Sequence, residues 1–193
     1  MTSTTTLKLP DELKLRVAEA AESAGKSPHA FMLEAQTRLA ERRREFIGSA
    51  LAAEQEAAQF GLVHDGDEVL SYLQSLLDGR AVRRPRPRKA WRPRVVPVPK
   101  LQFAPRALDD LDRLAAFLIE TSPALAAETA PLIIGALRSL RDHPLIGRPV
   151  EEGLRELLIS RGRTGYVALY RYNPVADRVL VLRVRHQREL GTD

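Results

Sequence analysis

The stretch that decides how this chain is divided runs from Arg80 to Lys100 and reads RAVRRPRPRKAWRPRVVPVPK. Pro85, Pro87, Pro93, Pro97 and Pro99 each remove a backbone donor and push the preceding residue toward extended conformations. Residues 80–94 carry 8 Lys/Arg and no Asp/Glu, so like charges stretch the segment further. Residues 80–99 therefore read as an extended basic connector, either inert or a strap for an acidic or nucleic-acid surface. The charge on either side of it differs. Residues 1–79 hold 8 Lys/Arg against 13 Asp/Glu, and residues 95–193 hold 14 against 12. An acidic part, a basic hinge and a mildly basic part predict more than one folding unit.

The composition narrows the function classes. The chain has 193 residues, room for one or two domains at roughly 100–200 residues each. It contains no cysteine, which excludes disulfides, thiolate catalysis and cysteine-based zinc sites. No apolar run approaches the roughly 18 residues of a membrane span, and Met1-Thr2-Ser3-Thr4 lacks the regions of a signal peptide. The expectation is a cytoplasmic protein without metal or cofactor.

N-terminal to the connector, Thr4-Thr5-Thr6-Leu7-Lys8-Leu9 alternates, with Thr5, Leu7 and Leu9 on one face and Thr4, Thr6 and Lys8 on the other. This is the period of a half-buried strand. Pro10, Asp11 and Glu12 suit a helix start, Leu13, Val17, Ala20 and Ala21 form a stripe, and Gly25 stops it. Ser27-Pro28 begins a second helix, predicted to reach about Phe46. A lone strand with two helices leaves its edge unpaired and its core too small, so the unit needs a second copy. Ala50 to Phe60 predicts a further helix. Asp65 and Glu68 are spaced as a capping box for another, with Val69, Leu70, Tyr72, Leu73, Leu76 and Leu77 on its apolar face. That face must be buried, on its own part of the chain or on the part beyond the connector.

Residues 4–46 resemble the ribbon-helix-helix repressors of the Arc/MetJ/CopG superfamily, in the form used by antitoxins. The passage Leu7-Lys8-Leu9-Pro10 and the turn Gly25-Lys26-Ser27-Pro28 carry the likeness. It implies a homodimer paired through the N-terminal strand and an operator-DNA partner. Thr4, Thr6 and Lys8 would face the groove, and Ser27 at the helix start would hold a phosphate with help from Lys26 and His29. The order of elements also agrees with ParD-like antitoxins, whose C-terminal segment neutralises a toxin. That implies a neutralising segment at residues 47–79, formed by the face Val69, Leu70, Tyr72, Leu73, Leu76 and Leu77.

C-terminal to the connector, Lys100 to Phe103 predicts a short strand. A helix follows from Pro105, and a second runs from about Ala124 to Asp142. Strands are predicted at Arg155 to Ser160, Tyr166 to Tyr172 and Arg178 to Arg185. The order β-α-α-β-β-β predicts an α+β unit with an antiparallel sheet against a helical hairpin. It resembles the ParE/RelE toxin family over residues 100–190. The likeness is carried by Leu154-Arg155-Glu156-Leu157, by Gly165-Tyr166-Val167-Ala168-Leu169-Tyr170-Arg171 and by Val184-Arg185-His186-Gln187-Arg188-Glu189.

Two activities follow from that resemblance. RelE-type members cut mRNA on the ribosome, and Arg155, Arg171, Arg185 and His186 are the candidates for such chemistry. ParE-type members poison DNA gyrase without chemistry of their own. Val167 stands where nucleases of the family often carry arginine, which favours gyrase over an endoribonuclease. The whole chain thus reads as an antitoxin fused to its toxin, a plasmid-stabilisation type of system. A plain transcriptional repressor with an inactive C-terminal interaction domain is the alternative.

Overall fold

The computed structural model describes residues 8–89, 100–161 and 164–187. It divides into two units, Met1–Arg44 and Glu45–Asp193.

In the first unit, helix α1 spans Asp11–Ser23 and helix α2 begins at Pro28. Gly25 turns the chain between them at φ +64, where the Lys26 N–H donates to Ala21 O at 2.9 Å. A residue with a Cβ is strained in that left-handed region, and glycine is not. Ser27 caps α2 by accepting the Ala30 N–H at 3.2 Å. Thr4 and Thr6 lie outside the described residues. Lys8 and Leu9 are described, and neither is in a strand.

Helix α2 runs unbroken over Pro28–Phe60. This corrects the expectation of two helices separated near residues 47–49. Gly48 costs a helix interior about 1 kcal/mol. The neighbours Phe46, Ile47 and Ala50 are all buried, and that packing outweighs the local cost.

The second unit is built on a seven-stranded sheet. Its strands are β1 (Leu62–Asp65), β2 (Arg88–Lys89), β3 (Lys100–Phe103), β4 (Arg148–Pro149), β5 (Arg155–Arg161), β6 (Thr164–Asn173) and β7 (Arg178–His186), in the order β2-β1-β3-β7-β6-β5-β4. The strands β5, β6 and β7 form the expected antiparallel meander. The strand β3 joins β7 in parallel, so the sheet is mixed. Two short strands from the segment before residue 90 extend it: β1 pairs with β3, and β2 with β1. The connector stretch thus begins as a seated segment, with Arg84 paired to Asp109 and Asp112 and Arg88 paired to Glu68.

Helices α3 (Gly66–Leu77), α4 (Pro105–Thr121) and α5 (Pro123–Ser139) pack on one face of this sheet. Alternate strand residues divide two cores. Leu157, Ile159, Tyr166, Ala168, Tyr170, Val179, Val181 and Val184 join α3, α4 and α5 in the first core. Val167, Leu169, Leu180 and Leu182 meet Phe46, Ile47, Ala50, Ala53 and Ala57 of α2 in the second. Asp65 caps α3, its carboxylate accepting the N–H groups of Asp67 (3.0 Å) and Glu68 (3.3 Å). Gly66 brings the start of α3 so close to β3 that a Cβ would sit 2.5 Å from Leu101 O.

Candidate functional site

The four basic candidates on the sheet do not converge. Arg171 pairs across strands with Leu180 and Arg185 with Val167, so both stand on the α2 face. They lie at opposite ends of it. Residues 167 and 171 are four apart on one strand, roughly 13 Å at the usual strand rise. Arg155 opposes Tyr170 and His186 opposes Tyr166, which puts both on the other face, with α4 and α5. These four side chains therefore do not bring an acid, a base and a cation to one point, and that is what phosphodiester cleavage requires.

His186, Arg171 and Arg185 each meet a defined neighbour. The His186 ring meets the Tyr166 ring edge-on, with centroids 4.9 Å apart. Arg155 lies near the Tyr170 hydroxyl, which donates to Pro144 O and accepts from the Gly147 N–H, both at 2.9 Å. Burial pushes the Tyr170 phenol up, so it stays protonated and holds the 144–147 loop. On the α2 face, Arg171 donates to Glu54 at 2.7 Å and to the carbonyl of Glu152 at 3.0 Å. The Arg185 guanidinium sits 3.5 Å above the centre of the Phe46 ring. A third link joins Arg106 of α4 to Glu56, with the Nε donating at 2.8 Å.

Residues 45–60 of α2 therefore lie along the sheet face that bears Arg171 and Arg185. Phe46 and Ile47 anchor one end, and Ala50, Ala53 and Ala57 follow at spacings of three and four. Small side chains let a helix approach a sheet closely, and the acidic Glu54 and Glu56 reach outward to guanidinium groups. This surface is hard to see in the sequence, because alanines at helical spacing give little apolar signal and the pattern there puts Phe46 at a helix end. The spacing itself was the available clue.

The helix read as neutralising sits on the opposite face. Val69, Leu70, Leu73 and Leu77 are buried in the core shared with α4 and α5, and Tyr72 and Leu76 pack partly buried against it. His64 on β1 is buried beneath the Arg84 segment. Its pKa is held below the usual value, first by burial and then by the Arg84 charge, against the opposing pull of Asp109, Asp112 and Glu68.

Of the N-terminal candidates, Lys8 and His29 are exposed. Ser27 is engaged as the cap of α2, and Lys26 pairs with Glu34. Among the described residues no group of three or more His, Cys, Asp or Glu could hold a metal ion. No helix among them is long and apolar enough to cross a membrane.

Comparison with known proteins bears on the second unit. Residues 101–191 match the family model described as ParE toxin of type II toxin-antitoxin system, parDE. The chain is 36% identical over 89 residues to Toxin RelE3 of Caulobacter vibrioides, covering 46% of this chain and 95% of that protein. It is 40% identical over 81 residues to Toxin RelE1 of the same organism, covering 42% of this chain and 85% of that protein. Among solved structures, it is similar to a chain in the toxin-antitoxin complex RelBE2 from Mycobacterium tuberculosis. That match is 28% identical, covers 48% of this chain and 100% of the other, and has a TM-score of 0.31.

Proposed function

The chain belongs to the ParE/RelE toxin family through residues 101–191, and from that premise we propose that it is a toxin held silent by its own preceding segment. Residues 47–79 act as the neutralising part, joined by Glu45 and Phe46 at the seated end of α2 and by residues 80–89, and residues 1–46 act as a ribbon-helix-helix antitoxin domain that binds operator DNA as a homodimer. The observation that carries the reading is α2 laid along the sheet, with Glu54 on Arg171 and Phe46 under Arg185. The face Val69, Leu70, Tyr72, Leu73, Leu76 and Leu77 adds a second seat on the opposite side. A covalent connection raises the local concentration of the neutralising segment to about the millimolar range, so the intact chain is silent.

The target in this reading is DNA gyrase, poisoned by binding without chemistry. The division of Arg155 and His186 from Arg171 and Arg185 between two faces supports that choice. The second reading is a ribosome-dependent mRNA endonuclease, favoured by the identity to two proteins named as RelE toxins.

Support for the DNA-binding part comes from the apolar surface of the first unit. Leu13, Leu15, Leu33 and Leu39 are all exposed in the single chain, and Ala21 is the one buried residue among the described part of that unit. A second copy would cover such surface. Thr4, Thr6 and Lys8 would then face the groove, with Ser27, Lys26 and His29 at a phosphate.

Expression of residues 97–193 alone tests the toxin reading. Growth arrest with stabilised gyrase-DNA cleavage is expected, while the full chain is harmless. Arrest with cut mRNA in translating ribosomes would favour the endonuclease. No arrest would leave a repressor with an interaction domain. For the antitoxin part, replacing Thr6 and Lys8 with Ala should abolish operator binding and leave dimerisation intact.

A further inference from the structure

The surface beneath α2 includes a cavity of about 300 Å³ lined by Glu45, Phe46, Ser49, Arg113, Arg183 and Arg185. The toxin domain supplies the three arginines, and α2 supplies the acid, the ring and the hydroxyl. Two of the guanidinium groups are anchored by one buried carboxylate. Asp110, whose side chain is 3% exposed, accepts from Arg183 Nε at 2.6 Å and Nη2 at 3.0 Å. It also accepts the Val184 N–H at 3.0 Å and Arg113 Nη2 at 3.3 Å. Arg185 adds the third cation, stacked on Phe46. Two guanidinium groups held on one buried anion, with a third stacked on a ring beside them, form a positive site suited to a carboxylate and to an aromatic face. The α2 wall brings both.

We propose that the Arg113, Arg183 and Arg185 cavity is where the toxin domain recognises an acidic, aromatic-bearing segment of its protein target, and that Glu45 and Phe46 occupy it in its place. This rests on the reading of residues 101–191 as a toxin masked by residues 45–89. It makes neutralisation competitive: α2 and the target present the same groups to the same arginines, and one must leave before the other binds. A protein segment is favoured over a nucleic-acid strand because the occupant is itself a carboxylate beside a phenyl ring.

The test uses the full chain and a fluorescent pentapeptide, DEFED, as probe. The variant Glu45→Gln/Phe46→Leu removes the carboxylate and the ring while keeping an apolar group in the seat. It should bind the peptide about tenfold tighter than the unsubstituted chain. Adding Arg113→Ala and Arg185→Ala should return binding to the starting level. If the double variant does not fold, Glu45→Gln alone should give a smaller gain in the same direction, and no gain there overturns the proposal. Binding indifferent to the arginines overturns it too, as does preference for an oligonucleotide of about ten thymidines over the peptide. Peptide affinity is read without any toxicity measurement. The cavity can therefore fail while residues 97–193 still arrest growth, or hold while they do not.

Discussion

The two halves of α2 share a helix but differ in what their apolar residues touch. Over residues 28–44 none is buried, and Leu33 and Leu39 are each more than half exposed. Over residues 45–60, Phe46, Ile47, Ala50, Ala53 and Ala57 are all buried against the sheet. The difference does not follow hydrophobicity, since the buried half is mostly alanine and the exposed half contains leucines. It follows from whether a complementary surface is present in the same chain. The second half has the sheet face with Arg171 and Arg185, and the first half has bare leucines. The first unit thus leaves its apolar residues exposed in the single chain, and the second buries its own in a core.

The largest effect should fall in that core. Asp110→Ala leaves Arg183, one-fifth exposed, without its carboxylate and removes the acceptor of the Val184 N–H. Breaking a buried pair from one side costs about 3–5 kcal/mol. Urea unfolding followed by a probe in the second unit should show it, and a loss no larger than that of a surface substitution would dissolve the contrast between the units. Next comes a matched pair of truncations. Leu73→Ala, at a site 2% exposed, should cost about 2–4 kcal/mol. Leu33→Ala, at 57%, should cost under about 0.5 kcal/mol in dilute monomer. If Leu33→Ala instead lowers stability only as protein concentration rises, a second copy covers that face.

Much of the second unit could be read from the residues. The strands β5, β6 and β7 announce themselves by β-branched and aromatic alternation, and α3 by the run from Val69 to Leu77. Asp65 was legible as its cap. The four-residue β1, Leu-Val-His-Asp, was not. It is too short for a period, its His and Asp disfavour a strand, and it exists because the β3 edge accepts its hydrogen bonds. The parallel β3–β7 pair is equally invisible, because a pairing 78 residues apart leaves no local trace (Lys100 against Arg178). At the site, the arginines were legible as residues but not as faces. Their partners Glu54 and Phe46 come from an alanine-rich helix with little apolar signal, and charge complementarity between segments far apart in sequence has no one-dimensional signature.

A smaller effect tests α2's grip on the sheet. Glu54 and Arg171 are both under a third exposed, so Glu54→Gln should cost about 1 kcal/mol. The corresponding change in the exposed half, Glu34→Gln, breaks contacts to Lys26 and Arg38 and should leave the melting temperature nearly unchanged. Equal losses at the two positions would mean that the sheet contributes little to holding α2.

The finest distinction between the units is the pH at which each weakens. His64 in the second unit titrates below its ordinary 6.5 because burial, and then the Arg84 charge, disfavour its cation. The unfolded chain therefore takes up that proton first. The stability it contributes is present above about pH 6.5 and is lost as pH falls toward the folded value. Glu34 in the first unit is also lowered, chiefly by its bond to Lys26, so its contribution is lost only as pH falls below its ordinary 4.5. Asp112, beside Arg84, runs the other way. Burial raises it, so it favours folding at low pH and ceases to do so as pH rises past its own range. Lowering pH from about 7.5 to about 5.5 should thus weaken the second unit and spare the first. His64→Gln should remove that slope, since it keeps a polar neutral group under Arg84 without the titration. A slope that survives the substitution would show that His64 is not its source, and a chain with no slope would show that burial of His64 does not distinguish its two states.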